Sequence, residues 1–126
     1  MKIFLLILLT LTLSAKVDLY LHTPSGLPSK SVETLFGKEL VKLIDNAEKE
    51  VSFAIYGLRG QNAMLQALIE AQERGVSVKG VVDSDAHDKN YYSDTKLLYK
   101  YFEIVSDHQS YIMHNKFFVI DKDTVW

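Results

Sequence analysis

Apolar and polar positions along the chain follow two periods, and the order of these periods predicts strands and helices in alternation. Residues 51–56 and 76–82 are short apolar runs rich in β-branched and aromatic side chains, which is typical of buried strands. Between them, apolar residues of 63–71 recur at helical spacing, with Asn62 as a candidate cap and Gly75 at the expected C-terminal end. A strand, helix and strand joined by short connections predict a parallel βαβ unit with a right-handed crossover.

The flanking segments extend this pattern in both directions. Residues 16–23 alternate, which predicts a half-buried strand with its apolar side formed by Val17, Leu19 and Leu21. Residues 24–28 contain Pro and Gly and predict a loop, and helical spacing then predicts a helix over 32–49. Further on we expect a short helix over 94–101, a strand over 102–105 and the beginning of another strand at 124–126.

Composition indicates a packed α/β domain and removes several kinds of chemistry. The 126 residues suffice for one domain, and 48% of them are hydrophobic against 24% charged, which argues against disorder. The chain has no cysteine. Disulfides, thiolate metal sites and cysteine nucleophiles are therefore excluded.

The first fifteen residues have the features of a targeting segment. Lys2 precedes an apolar run over 3–13 that only two threonines interrupt, and Ser14 and Ala15 are small residues at a plausible cleavage point. The run is shorter than the roughly 20 residues that span a bilayer. We expect a signal peptide over 1–15, or an uncleaved membrane anchor, and a domain over 16–126; a buried first strand is the third alternative. Either of the first two predicts export to the periplasm or cell envelope.

Net charge limits how the protein can bind a polyanion. The chain carries a formal charge of −2, and without residues 1–15 it has 13 basic and 16 acidic side chains, a net charge of −3. Such a balance does not favour holding duplex DNA by bulk charge. Any polyanion must therefore be bound by a local patch.

The strongest chemical pattern is the spacing H-x-K-x-x-x-x-D formed by His114, Lys116 and Asp121. In an extended run, residues two apart share a face, so His114 and Lys116 are expected side by side. Residues 117–120 are strand formers, and 121–123 have turn composition, so we expect Asp121 at the strand end, orienting neighbours. An imidazole beside an ammonium suits phosphodiester chemistry, because the imidazole attacks phosphorus or moves a proton while the cation stabilises phosphoryl oxygens.

Residues 113–121, Met-His-Asn-Lys-Phe-Phe-Val-Ile-Asp, resemble the signature of the phospholipase D superfamily, and within it the small bacterial phosphodiesterase nucleases with one such motif per chain. Residues 53–56, 67–71, 74–76 and 81–83 resemble the segment that precedes this motif in the family, so the resemblance covers about 33–125. The resemblance implies an α/β layered sandwich with a mixed sheet flanked by helices.

The family mechanism implied by this resemblance is two-step and needs no metal or cofactor. His114 forms a phosphohistidine, Lys116 holds the phosphoryl oxygens and Asp121 supports the site. A second motif must supply the other imidazole, either from the partner in a C2 homodimer or from a longer chain. Nucleic acid is the preferred substrate, phospholipid head groups are the alternative, and membrane association through the N-terminus is a further expectation.

Other residues carry weaker signals. Residues 83–88 contain Asp83, Asp85, His87 and Asp88 and suggest a divalent metal site, but the spacing lacks the Gly and Glu of a calcium loop, so a solvated loop is favoured. His108 is a candidate second acid or base, although a loop histidine is favoured, and His22 is expected to be a partly exposed strand-end residue. Lys96 and Lys100 are candidate phosphate contacts, but a solvated helix face is favoured. Candidate base-stacking residues, for which packing is favoured, are Tyr91, Tyr92 and Tyr99.

The last residues suggest an interrupted sheet. The family resemblance implies a Gly-Ser or Gly-Thr step, an Asn and further strands after a strand such as 124–126. We therefore expect a C-terminally truncated domain. This expectation keeps a different class of function open, namely an inactive fragment or a non-catalytic envelope or nucleic-acid-binding protein.

Overall fold

A mixed five-stranded sheet forms the frame of the molecule. The computed structural model describes residues 15–21, 34–88 and 94–126, without the side chains of His87 and Asp88. Strands are β1 (Glu50–Ile55), β2 (Ser77–Val82), β3 (Glu103–Ser106), β4 (Lys116–Ile120) and β5 (Thr124–Val125), in the spatial order β3-β2-β1-β4-β5. Helices are α1 (Leu35–Asp45), α2 (Asn62–Glu73), α3 (Ser84–Asp88) and α4 (Thr95–Tyr101).

The predicted βαβ unit is confirmed. Strands β1 and β2 are parallel, with Val51 beside Val78 and Ile55 beside Val82, and α2 connects them. Gly75 follows α2 with a φ of 93°, a left-handed conformation that glycine adopts without a Cβ penalty. Asn62 is the first residue of α2, while the N-cap position belongs to Gln61, whose side chain makes no capping hydrogen bond.

Helix α1 is shorter than the predicted span of 32–49. Its start is capped by Thr34, whose Oγ1 accepts a hydrogen bond from the Gly37 N–H at 3.1 Å. Its end is closed by Asn46, whose side chain donates to the Lys42 carbonyl at 2.7 Å. The amides of Glu48 and Lys49 donate to the carboxylate of Asp121, the residue that follows β4, and therefore make no helical hydrogen bonds. Residues 32 and 33 lie outside the described part of the chain.

One hydrophobic cluster joins the sheet to α1, α2 and α4. Alternate residues of β1 enter it, and the rings of Phe53 and Phe118 lie 5.3 Å apart between their centroids. Gly80, beside Phe53 on β2, has no space for a side chain, because a Cβ there would collide with the Phe53 ring. The helical members of the cluster include Leu40, Ile44, Leu68, Ala71 and Leu98.

The strand predicted over 16–23 is wrong for the residues that the structure describes. Residues 15–21 form no strand, and Val17, Leu19 and Leu21 are 88%, 81% and 79% exposed. The opposite side of the segment makes the contact, since the Tyr20 ring packs against Trp126 with centroids 5.2 Å apart. Residues 1–14, 22–33 and 89–93 lie outside the description, so the targeting segment, His22, the 24–28 loop, Tyr91 and Tyr92 stay predictions.

Strand direction creates two chemically different edges of the sheet. The carboxyl edge is defined by Ile55, Val82 and Ser106, the last residues of β1, β2 and β3; Lys116, the first residue of antiparallel β4, lies there because it pairs with Ile55. The amino edge is defined by the opposite ends of β1, β2 and β4, which are Glu50, Ser77 and Ile120. Binding sites of open α/β sheets characteristically lie at the carboxyl ends of strands.

Candidate active site

A nine-residue connection, 107–115, crosses the carboxyl edge and carries the first residue of the motif. We call it the bridge. Since β3 is an outer strand and β4 lies beyond β1, the connection from β3 to β4 must pass the ends of β2 and β1. Two backbone hydrogen bonds attach the bridge to the ends of β2 and β1. The Asp107 N–H donates to the Val82 carbonyl at 3.0 Å, and the Asn115 carbonyl accepts from the Tyr56 N–H at 3.1 Å.

His114 lies on the bridge, two residues before β4 begins, rather than within a regular strand. Its side chain is exposed, and its imidazole meets the Tyr56 ring in an edge-on arrangement with centroids 5.8 Å apart. Hydrogen bonding of Asn115 to Tyr56 continues the β1–β4 ladder one step beyond the strand and fixes the backbone beside His114. The imidazole is therefore exposed to solvent, while the backbone that carries it is fixed by a hydrogen bond.

Lys116 stands beside His114 at the same edge. It is the first residue of β4, it pairs with Ile55, and its Nζ donates to the His114 carbonyl at 3.3 Å. Both side chains are exposed. An imidazole and an ammonium accessible at one edge can meet the same phosphoryl group.

Asp83 fastens the bridge to β2, and sequence reasoning missed this role. The solvated-loop interpretation is wrong for Asp83, which is 1% exposed. One carboxylate oxygen accepts from the Asp85 N–H at 2.8 Å, and the other accepts from the Met113 N–H at 2.6 Å. Its own N–H donates to the Tyr56 carbonyl at 3.2 Å. Placement directly after the buried run 76–82 was the available signal, since a charged residue there lies at the sheet edge.

Ser84 provides a further attachment between β2 and the bridge. Its N–H donates to an Asp107 carboxylate oxygen at 2.9 Å, and its hydroxyl donates to the Gln109 carbonyl at 3.1 Å. The residues after Asp83 form the short helix α3 rather than the expected loop. Two carboxylates, Asp83 and Asp107, thus hold backbone amides and shape the start of the motif.

Asp121 lies at the amino edge, separated from Lys116 by the whole of β4. Its carboxylate accepts hydrogen bonds from the N–H groups of Glu48, Lys49 and Glu50 at 2.9, 2.7 and 3.0 Å. These bonds, that of Glu48 foremost, lower the pKa of Asp121, because they favour the ionised carboxylate. Asp121 has a φ of 53° and Lys122 one of 67°, so both form a left-handed turn into β5. Asp121 therefore joins β4 to the start of β1.

Other candidates identified from the sequence are dispersed. His108 is exposed on the bridge with a φ of 53°. Lys96 and Lys100 are exposed on α4, and the Lys100 Nζ lies 5.1 Å from the Tyr101 ring centroid, whereas Tyr99 packs against the core cluster. Among the residues described, no three His, Cys, Asp or Glu side chains gather as metal ligands; the side chains of His87 and Asp88 are not part of that description. In the same residues, no helix has the length and apolar character needed to cross a bilayer.

The fold and the edge site together define an α/β domain with an H-x-K pair at the carboxyl edge of a mixed sheet. The chain belongs to the phospholipase D-like domain family: the model described as "Cardiolipin synthase, PLD-like domain" matches residues 40–126. The family resemblance seen in the sequence is thereby confirmed. No curated protein sequence matches the chain significantly.

Two solved structures share the fold. Nuc from Salmonella typhimurium, described as a phospholipase D family member, superposes with a TM-score of 0.57 at 22% identity, over 70% of this chain and 59% of that chain. NucT from Helicobacter pylori superposes with a TM-score of 0.55 at 24% identity, over 67% of this chain and 58% of that chain. The matched region thus spans about three fifths of each structure, and at these identities the likeness concerns the fold.

Proposed function

We propose that the protein hydrolyses phosphodiesters through a phosphohistidine on His114. The imidazole nitrogen attacks phosphorus, a P–N bond forms, and the P–O bond to the leaving alcohol breaks. A second imidazole protonates the leaving oxygen and then takes a proton from the water that cleaves the P–N bond. Lys116 stabilises the charge that grows on the phosphoryl oxygens. These steps balance without a metal or cofactor.

The observation that carries this proposal is the exposure of His114 and Lys116 at one edge, on a backbone held from both sides. A nucleophile must be reachable by substrate and yet fixed, because small misplacements of reacting groups are costly in rate. The Tyr56 and Asp83 contacts supply that fixation at Asn115 and Met113, on either side of His114.

The second imidazole is proposed to come from another copy of the motif. In a C2 homodimer, His114 of the partner subunit would meet its counterpart at the two-fold axis. A longer polypeptide with a second motif would satisfy the same requirement. Export remains part of the proposal on the strength of the apolar run over 3–13 after Lys2.

Nucleic acid is the substrate class that we favour, in line with the resemblance to single-motif nucleases. The net charge of −2 agrees with binding through a local site instead of a basic surface. A panel of single-stranded DNA, duplex DNA, RNA and phosphatidylcholine vesicles, each with and without a chelator, ranks the substrates. Hydrolysis should persist in EDTA, and strong inhibition would contradict the metal-free chemistry.

The decisive experiment is His114→Ala in the full-length protein, assayed with bis(p-nitrophenyl) phosphate. Hydrolysis should fall to the background rate, while the melting curve should stay unchanged because the side chain is exposed. His108→Ala, on the same bridge, is the matched control and should retain activity. Undiminished turnover by His114→Ala would remove His114 from the reaction.

A further inference from the structure

The bridge presents an apolar side-chain pair next to the H-x-K site. Tyr111 is 82% exposed and Ile112 is 65% exposed, and they immediately precede Met113 and His114. Exposed large apolar side chains are common singly on protein surfaces, but adjacent ones beside a candidate active site are a feature of binding surfaces.

The backbone under this pair is held on both sides. Before it, the Gln109 carbonyl accepts a hydrogen bond from the Ser84 hydroxyl at 3.1 Å. After it, the Met113 N–H is bound by the buried Asp83 carboxylate at 2.6 Å. The two exposed side chains therefore project from a segment of three residues between fixed points, which lowers the conformational entropy lost when a ligand binds them.

Distance and charge indicate what kind of ligand part meets Tyr111. Tyr111 and His114 are three positions apart in the chain, so their Cα atoms are at most about 11 Å apart. No Lys or Arg occurs in residues 107–115, and Lys116 follows at the end of the bridge. A substrate whose phosphate lies at His114 and Lys116 and whose chain follows the bridge would thus meet an aromatic and an aliphatic side chain there.

We propose that Tyr111, with the neighbouring Ile112 beside it in the chain, stacks on the base next to the scissile phosphate, which makes single-stranded nucleic acid the substrate. This inference rests on the proposed phosphodiesterase function and specifies its substrate class. Every base offers a π-face to an aromatic side chain, and this face is accessible in a single strand but covered by neighbouring base pairs in a duplex. Stacking on Tyr111 would therefore require a base but would not distinguish one type of base from another.

The test compares two substrates of equal length, single-stranded oligothymidylate and an oligomer of abasic nucleotides. Tyr111→Ala should lower kcat/KM on oligothymidylate roughly 5- to 150-fold, the range expected for loss of one stacked base. On the abasic oligomer, kcat/KM should not change. Tyr111→Phe keeps the ring and should behave like the unaltered protein on both substrates.

Tyr101→Ala is the matched control, because Tyr101 is also exposed but directly precedes Phe102 and β3 at the other end of the sheet. It should cleave both oligomers normally. Equal losses on both oligomers by Tyr111→Ala would overturn the stacking role, as would a loss confined to phosphatidylcholine vesicles. His114→Ala separates the two proposals: if it still cleaves the abasic oligomer, the proposed chemistry fails, whatever Tyr111 does.

Discussion

The two ends of β4 use similar polar residues for different purposes. At the carboxyl edge, His114 and Lys116 have exposed side chains, and the nearby backbone is held by groups from β1 and β2. At the amino edge, the Asp121 carboxylate is fully engaged with three backbone N–H groups of the segment that leads into β1. One short motif therefore combines groups available to a substrate with a group committed to the fold.

The residues of a sequence motif therefore need not lie together in space. Five residues of β4 separate the two ends, about 16 Å at the usual rise per strand residue. Asp121 cannot reach a phosphate held by Lys116 across that distance. Its three hydrogen bonds instead join the end of β4 to the segment that leads into β1, the strand whose Ile55 pairs with Lys116.

Replacing the lysine at each end of β4 is expected to give the largest difference in turnover between the two edges. Lys116→Ala should lower kcat for bis(p-nitrophenyl) phosphate about 10²- to 10³-fold, the usual cost of removing one group that stabilises developing negative charge. Lys122→Ala at the amino edge should leave kcat unchanged, since the Lys122 side chain is exposed and its ion pair with Glu50, at 3.5 Å, lies at the opposite edge from the site. Similar losses in both variants would contradict the division between the edges.

Much of this architecture could be predicted from the sequence. The runs 51–56 and 76–82 and the helical spacing between them specify β1, α2 and β2, because their apolar residues fill the core. The turn at Asp121 was also predictable from the composition of 121–123. In contrast, the strand predicted from the alternation over 16–23 is wrong for the described residues. An alternating apolar side is buried only where another element covers it, and here it is the Tyr20 ring, on the other side, that contacts Trp126.

Only part of the candidate site could be predicted from the sequence. His114 and Lys116 stand out because their chemistry and spacing are unusual in combination. Asp83 does not, since its function is to accept the amide of Met113, thirty positions away in the chain. Hydrogen bonds from a side chain to a distant backbone leave no local pattern. The sequence-based interpretation of a solvated loop failed at Asp83 for this reason.

Asp83→Asn tests whether the hydrogen bonds of the Asp83 carboxylate hold the bridge in position. An amide can accept from only one of the two N–H groups that the carboxylate now serves, so one buried donor is left unpaired, at a cost of about 1–3 kcal/mol in unfolding free energy. We expect kcat to fall about tenfold as His114 loses its position, measured well below the melting temperature.

Asp123→Asn is the matched control at the amino edge. Its side chain is exposed, and the retained oxygen can still accept from the Thr124 hydroxyl. It should change neither the melt nor kcat. A normal kcat in Asp83→Asn would show that the bridge keeps its shape without this carboxylate.

The smallest effect on turnover is expected from Asp121→Asn, which alters the hydrogen bonds at the amino edge. Hydrogen bonding by the Glu48, Glu50 and Lys49 amides lowers the pKa of Asp121, so its stabilisation is complete above the unfolded value of about 3.9 and is lost as the pH falls through the lower folded value. At pH 7 the variant should melt at a lower temperature than the unaltered protein, and this gap should close as acidification below about pH 4 protonates Asp121. Turnover at pH 7, measured well below both melting temperatures, should be unchanged. A loss of kcat with an unaltered melting temperature would instead show that Asp121 acts in the reaction, and the two edges would then not differ in function.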